Sequence, residues 1–436
     1  MKPQRFLFFS LLMFAGFCFP LRAEPQLSLP LPPTTRVVLS NGLRVLVRER
    51  PQTDNVAIHI MIGAGQLTEN QDQMGITNLL QQYLLSVPVE GYHDAQTALE
   101  SRGGVISADS GPDNAYFSVV VSPSDFPFAM KILSDLFHQM QIDAPRFHDA
   151  QKNALLEIKN EETESFQALY GIFLQEFYTF HPYRVPVPGT KQTIESLKPF
   201  DLLSYYEAYY RPNNMVIAIA GDVETEDALK IVKENFADLK SKSIASQSIY
   251  YQPILDDIKT INLMTSGNIA WLFVGFSAPE LRSPNYEAME ILNSILGSSI
   301  GSRLWISLRE KRGLSYELGS QYSARQGPSH FIIYVATDPK ELSESRDHLL
   351  EQVNDLRNHP LSQEELDVAK RRLIGHFISK LETNEAQAKY MAWEEISGKG
   401  IGFEQTYISL IRAVTAKQLQ EVARKYFENY ILISVQ

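Results

Sequence analysis

The segment GITNLLQQYLL, residues 75–85, sets three neutral amides, Asn78, Gln81 and Gln82, into an otherwise apolar run. Their spacing puts all three on one face of a helix. Polar side chains gathered in this way mark either a solvated face or a site. The types are unsuited to ionic chemistry, because amides are poor zinc ligands beside imidazole, thiolate or carboxylate. Gln81 has no basic oxygen at neutral pH and cannot act as a general base. No substitute constellation is visible elsewhere. The nine histidines, at 59, 93, 138, 148, 181, 330, 348, 359 and 376, contain no pair four residues apart, and no nucleophile-elbow pattern occurs.

Residues 1–23 read as a secretory signal: Lys2 and Arg5 precede an apolar run from Phe6 to Phe19, and Leu21-Arg22-Ala23 offers a cleavage site. The run is short for a membrane span. The single cysteine, Cys18, lies inside it, and bulky Phe17 makes a poor setting for lipidation. Cleavage after Ala23 leaves a periplasmic or secreted chain without cysteine, which excludes disulfides and thiolate chemistry. With 51 acidic against 40 basic residues the net charge is −11, and loss of Lys2, Arg5 and Arg22 makes it more negative. That argues against nucleic acid as a partner. No later apolar stretch is long enough to span a membrane.

The elements that must carry the amide face occur twice. NVAIHIMIGAGQLTEN from Asn55 is similar to NIAWLFVGFSAPELRS from Asn268, and FSVVVSPSDFPFAMKILSDLF from Phe117 to FIIYVATDPKELSESRDHLL from Phe331. EAYYRPNNMVIAIAGDV from Glu207 parallels ARKYFENYILISV from Ala423. A repeat this long is a duplicated domain rather than a solenoid. In each half, strands alternate with groups of helices, which predicts an α+β fold, one sheet covered on one side by helices. A hairpin is expected around Asn41-Gly42, and helical spacing covers 126–140 and 147–162. The boundaries read as a signal at 1–23, a first domain at 24–238, a polar linker at 239–258 and a homologous second domain at 259–436.

LSNGLRVLV (39–47), GITNLLQQYLL, HPYRVPVPGT (181–190), YYRPNNMVIAIAGDV (209–223) and SRLWISLREKRGLSY (302–316) resemble the pitrilysin or insulinase family of zinc metallopeptidases, which includes the mitochondrial processing peptidases. The likeness runs through essentially the whole mature chain. It implies two homologous domains, each a mainly antiparallel sheet covered by helices, facing each other as a clamshell. Active members carry His-x-x-Glu-His on the first helix, where two imidazoles bind zinc and the glutamate takes a proton from zinc-bound water. Asn78, Gln81 and Gln82 stand at those three positions, so the motif is degenerate. Glu157 in ALLEIKNEE matches the third ligand, and its plain alternative is a solvated helix carboxylate. An auxiliary acidic position falls on Ala150, beside Asp149.

The resemblance also implies what has been kept. Arg309 and Tyr316 match a pair in the second domain that reaches the substrate backbone. Arg309 is expected in the last turn of a helix that Gly313 stops, with Tyr316 entering the next strand. The plain alternative is a helix-end arginine and a half-buried tyrosine. GGVISADS, containing Gly104 and Ala108, matches the edge strand to which a substrate peptide adds. The GSSIGSR loop, 297–303, has only two glycines and reads as a surface turn. The chain is therefore similar to the non-catalytic, substrate-binding subunit of a periplasmic heterodimeric zinc metallopeptidase. Zinc is expected in the homologous partner and no cofactor in this chain. Two other readings compete: a stand-alone peptide-binding, chaperone-like scaffold, and a weak hydrolase with relocated chemistry.

Overall fold

The computed structural model describes residues 31–436 except 139, 164, 245–251 and 265–267. The expected signal segment, with Cys18, and residues 245–251 of the expected linker lie outside the described residues.

The first half runs β1 (Thr35–Val38), β2 (Arg44–Glu49), β3 (Val56–Ile62), α1 (Ile76–Leu85), α2 (Ala95–Glu100), β4 (Val105–Ser110), β5 (Ala115–Val121), α3 (Phe126–His138), α4 (Ala144–Thr163), α5 (Ser165–Phe177), α6 (Lys191–Ser196), α7 (Pro199–Tyr209), β6 (Met215–Gly221) and α8 (Thr225–Phe236). Its sheet has the order β1-β2-β6-β3-β5-β4. Only β2 with β6 is parallel. The expected hairpin is β1–β2, which turns through Asn41-Gly42 with Thr35 opposite Val47.

The second half repeats the plan: β7 (Lys259–Leu263), β8 (Ala270–Ala278), α9 (Tyr286–Leu296), a π-helical turn (Trp305–Glu310), β9 (Glu317–Ser323), β10 (Ser329–Thr337), α10 (Leu342–Asn358), α11 (Gln363–Lys380), α12 (Asn384–Ser397), α13 (Phe403–Ala413), α14 (Ala416–Tyr426) and β11 (Ile431–Val435). Its sheet is ordered β7-β11-β8-β10-β9, again with one parallel pair, β11 with β7.

Each sheet is covered on both faces, not on one as the patterning predicts. In β3 all seven residues, VAIHIMI, are buried. Val56, Ile58, Ile60 and Ile62 enter the core formed with the helices of their own half, whereas Ala57 and Met61 pack against Ala388, Met391 and Ala392 of α12. The exchange is mutual. Leu169, Phe173, Leu174 and Phe177 of α5 cover Phe273, Ile332, Ile431 and Ile433 of the second sheet. Each half thus lends the apolar face of one helix to the outer face of the other's sheet, where a strand with two apolar faces would otherwise meet water. Polar ties run alongside. Arg48 of β2, 1% exposed, pairs with Glu404 and donates to Gln387 at 3.2 Å.

Candidate functional site

The start of α1 is set by a close backbone crossing. Gly75 has φ +89°, and a Cβ there would stand 2.3 Å from the Pro188 carbonyl oxygen, so the HPYRVPVPGT run passes at a distance only glycine allows. The N–H groups of Gly75 and Thr77 donate to the Glu69 carboxylate at 2.8 and 3.0 Å, which caps the helix from a neighbouring loop. Burial pushes the Glu69 carboxyl up, against the pull of those hydrogen bonds. From α4, the buried stripe Phe147, Ala150, Ala154 and Ile158 anchors the helix and leaves Glu157 beside it, facing α1.

There the amides and the carboxylate meet. Asn78 Nδ2 and Gln82 Nε2 donate to one oxygen, Glu157 Oε2, at 2.9 and 2.8 Å. Gln81 turns away and donates through Nε2 to the Tyr210 hydroxyl at 3.1 Å. Burial raises the Tyr210 phenol well above its ordinary range, which keeps it protonated. Asn78 and Gln81 are buried, while Gln82 and Glu157 are half-buried. Glu157 is therefore not a freely solvated helix carboxylate. The cluster lies wholly within the first half, so it is not an interdomain one. Its orientation follows from charge: only the NH2 end of each amide can face a carboxylate oxygen.

This donor set does not fit zinc. Three side chains converge on one point, but two present hydrogen-bond donors there and the third is their shared acceptor. Among the described residues, no group of three or more His, Cys, Asp or Glu side chains could hold a metal ion. Ala150 is buried in the core, so the auxiliary acidic position is a packing position here.

Arg309 lies in the last turn of the π-helical segment, and the N–H of Gly313, at φ +69°, returns to the Arg309 carbonyl at 3.1 Å. Arg309 Nη1 donates to the Tyr316 carbonyl at 2.6 Å while its guanidinium lies 4.7 Å from the Trp305 ring centre. Tyr316 immediately precedes β9, its N–H bonded to the Ala336 carbonyl, and its ring is 61% exposed. The pair is thus locked together through the backbone with the phenol free to reach outward. No hydrogen bond or ion pair among the described residues joins it to the Asn78–Glu157 cluster. In the GSSIGSR loop, Arg303 is tied to Glu365 at 2.6 Å and Asp355 at 2.6 Å, which anchors that end of the turn.

Gly104 leads into β4 and Ala108 lies within it. A Cβ on Gly104 would come within 2.8 Å of Val121 Cγ1. Because β4 ends the sheet, one line of its backbone N–H and C=O groups has no strand partner. Nearby, a cavity of about 410 Å3 opens between the halves. Gln66, Asp113, Glu161, Gln321, Arg325 and Trp393 are among its walls, and Glu161 stands one helical turn beyond Glu157. Asn78, Gln81, Gln82, Arg309 and Tyr316 do not line it.

Sequence reasoning missed the polar network at the end of that cavity. Tyr183 donates its hydroxyl to Asp113, which also accepts the Gln326 N–H at 2.9 Å. The Arg325 guanidinium lies 4.4 Å from the Tyr183 ring centre and donates to the Tyr170 hydroxyl at 3.1 Å. Burial acts against the Arg325 charge, but the facing tyrosines and Asp113 more than offset it and hold the group above its usual range. Tyr183 sits inside the HPYRVPVPGT run, which was the one signal available; its partners are too distant in sequence for any spacing rule.

The comparisons with known proteins agree with this geometry. Residues 44–191 match the family described as Insulinase (Peptidase family M16), and residues 196–373 match the Peptidase M16 inactive domain. The chain belongs to peptidase family M16. An uncharacterized zinc protease of Bacillus subtilis, YmxG, is 24% identical over 400 residues, covering 91% of this chain and 97% of the relative. The zinc protease PqqE of Helicobacter pylori is 22% identical over 411 residues, 92% of this chain and 91% of the relative. A crystal structure of a protease from Helicobacter pylori superposes with a TM-score of 0.87 at 20% identity, covering 93% of this chain and all of that one (100%). A peptidase M16 inactive domain from Pseudomonas fluorescens gives 0.83 at 20% identity over 92% of this chain and 98% of that one. These likenesses carry the two-domain α+β fold of M16 proteins over to this chain. Among the described residues no helix is long and apolar enough to cross a membrane.

Proposed function

We propose that this M16 chain is the non-catalytic, substrate-binding member of a heterodimeric zinc metallopeptidase, exported to the periplasm or beyond, where it completes the cleft of a zinc-bearing homologue. The observation that carries this reading is the shared Glu157 oxygen. Hydrogen bonds from Asn78 and Gln82 take the place where family chemistry needs metal bonds, and Gln81 cannot act as a base. Holding functions have the parts they need: an unpaired edge at β4, a cavity between the halves, and an Arg309–Tyr316 pair fixed as one unit with an exposed phenol.

The test is purification of the native chain followed by identification of any homologue with an intact His-x-x-Glu-His that accompanies it. In the reconstituted pair, Arg309→Ala should lower peptide turnover by about 10²-fold, as expected for loss of a carbonyl-polarising donor, while co-elution is unchanged. A mixed pair that cleaves peptides no faster than the zinc-bearing chain alone would overturn the reading. The unpaired edge of β4 favours a second one, a stand-alone peptide-binding scaffold, which saturable peptide binding by the isolated chain without turnover would identify.

A further inference from the structure

The second half has its own cleft, separate from the amide face and from the cavity between the halves, with Ser298 and Ser299 of the GSSIGSR loop on its wall. It lies between α9 and α11, the helix pair that repeats α1 and α4, and is closed by α12 and α13. Its volume is about 410 Å3, at the small end of ligand pockets, which run from about 300 to 1,000 Å3. Three tyrosines, Tyr286, Tyr390 and Tyr407, form much of its wall together with Phe377, whose ring meets those of Tyr390 and Tyr407 at 5.4 and 4.6 Å.

Polar groups enter this aromatic chamber from two sides. On the α9 side stands Glu290. The neighbouring Glu287 has a cation at hand, Lys399 at 4.0 Å, itself 4.1 Å from the Tyr286 ring centre. Glu290 makes no salt bridge among the described residues. Burial pushes its carboxyl up to about 7, Lys380 pulls the other way, and Glu287 adds to the rise. Lys399 and a hydrogen bond from Tyr286 also favour its ionised form, yet among the described residues no cation is in salt-bridge contact with it. Also on the wall, the Ser299 hydroxyl is buried and has no hydrogen-bond partner among the described residues. On the α11 side, the exposed Lys380 supplies positive charge, and His376, held below its ordinary value by burial and then by Lys380, supplies a neutral imidazole that can donate. The cleft therefore offers an acceptor in an aromatic setting at one side and donors at the other.

We propose that this cleft binds a compact zwitterion, a free amino acid or dipeptide, with its ammonium group on Glu290 among the tyrosines and its carboxylate at Lys380 and His376. Tyrosine faces stabilise a desolvated ammonium, and a carboxylate completes its recognition. A simple cation would leave the α11 side unsatisfied, and a simple anion would meet Glu290.

Calorimetry on the full mature chain with the dipeptide L-Ala-L-Phe tests this. Saturable binding is expected at a ligand concentration of about 1 mM or below, the weak end of specific affinity. N-acetylation of the dipeptide and Glu290→Gln should each weaken binding by about tenfold or more, equivalent to ~1.4 kcal/mol. C-terminal amidation and Lys380→Met, a change at an exposed position, should each weaken it several-fold. Binding should strengthen as pH rises through about 7, where Glu290 ionises. Thermal melts show whether the variants remain folded. Lack of saturable binding, or equal binding of the N-acetylated dipeptide, overturns the proposal. Neither result bears on partnership with a zinc-bearing homologue, because the cleft shares no residue with the face or the cavity on which that reading rests.

Discussion

Glu157 is the residue on which the amide face depends. Removing the carboxylate leaves the Asn78 and Gln82 donors without an acceptor in a half-buried setting. Glu157→Ala should therefore cost about 1–3 kcal/mol in urea unfolding, and Glu157→Gln less, since one acceptor survives. The same convergence makes a constructive test possible. Asn78→His, Gln81→Glu and Gln82→His together would place two imidazoles four residues apart opposite Glu157. The triple variant should retain stoichiometric zinc through gel filtration and the natural chain should not. Failure of the variant to retain zinc would mean that α1 and α4 no longer meet at a metal-binding distance. His59 shows the opposite situation, a polar group without a partner. It is fully buried, neither ring nitrogen has a hydrogen bond among the described residues, and it stacks on Tyr116 at 4.8 Å. Phe keeps the stack and removes two unsatisfied atoms, so His59→Phe should raise stability by about 1–2 kcal/mol.

At the scale of elements, the exchange of α5 and α12 holds the halves together. Phe173 of α5 is fully buried against Phe273, with ring centres 5.4 Å apart. Phe173→Ala should cost about 3–5 kcal/mol and expose the cleft between the halves to proteolysis. The complementary change lies on the strand beneath. A Cβ on Gly275 would sit 2.0 Å from Phe173 Cε2, so Gly275→Ala should lift α5 from the second sheet and destabilise by about 1–3 kcal/mol. If both variants melted like the parent protein, α5 would not be the clasp described here. That each half carries several helices was legible from the sequence, although apolar spacing located α3 and α4 and not α5 or α12. Which sheet α5 and α12 cover was not legible, because periodicity reports that a face is apolar and not what it meets. The strand VAIHIMI, apolar on both faces apart from His59, already carried the hint that both faces of its sheet are covered.

At the scale of the whole molecule, the interface between the halves holds histidines that are kept neutral. His330 accepts from or donates to the Tyr170 and Tyr178 hydroxyls at 3.0 and 2.9 Å. Tyr178 donates to the Pro328 carbonyl and Arg325 to the Tyr170 hydroxyl, so His330 must be the Nδ1–H tautomer with Nε2 as acceptor. Burial and then the Arg325 charge hold His330 well below its ordinary value, and the same two causes bring His181 down to about 4. Burial, followed by Lys389, brings His59 down to about 3. The unfolded chain takes up these protons near pH 6.5 and the folded chain does not, so stability should fall as pH drops from about 6.5 towards 4. The melting temperature should decline through that window, and His59→Phe should make the decline shallower. A flat profile would mean that these histidines are solvated in solution.

By itself the sequence determined the class of fold, the duplication, and the amide character of the polar face on α1, because each depends on local pattern or on side-chain type alone. Asn78, Gln81 and Gln82 are amides whatever their surroundings. The tertiary structure decided what those amides do, which sheet each lent helix covers, and that Asp113 meets Tyr183 while Arg325 stacks beside them. Those outcomes depend on contacts between residues far apart in the chain, and only the packed arrangement of the two halves brings them within hydrogen-bonding distance.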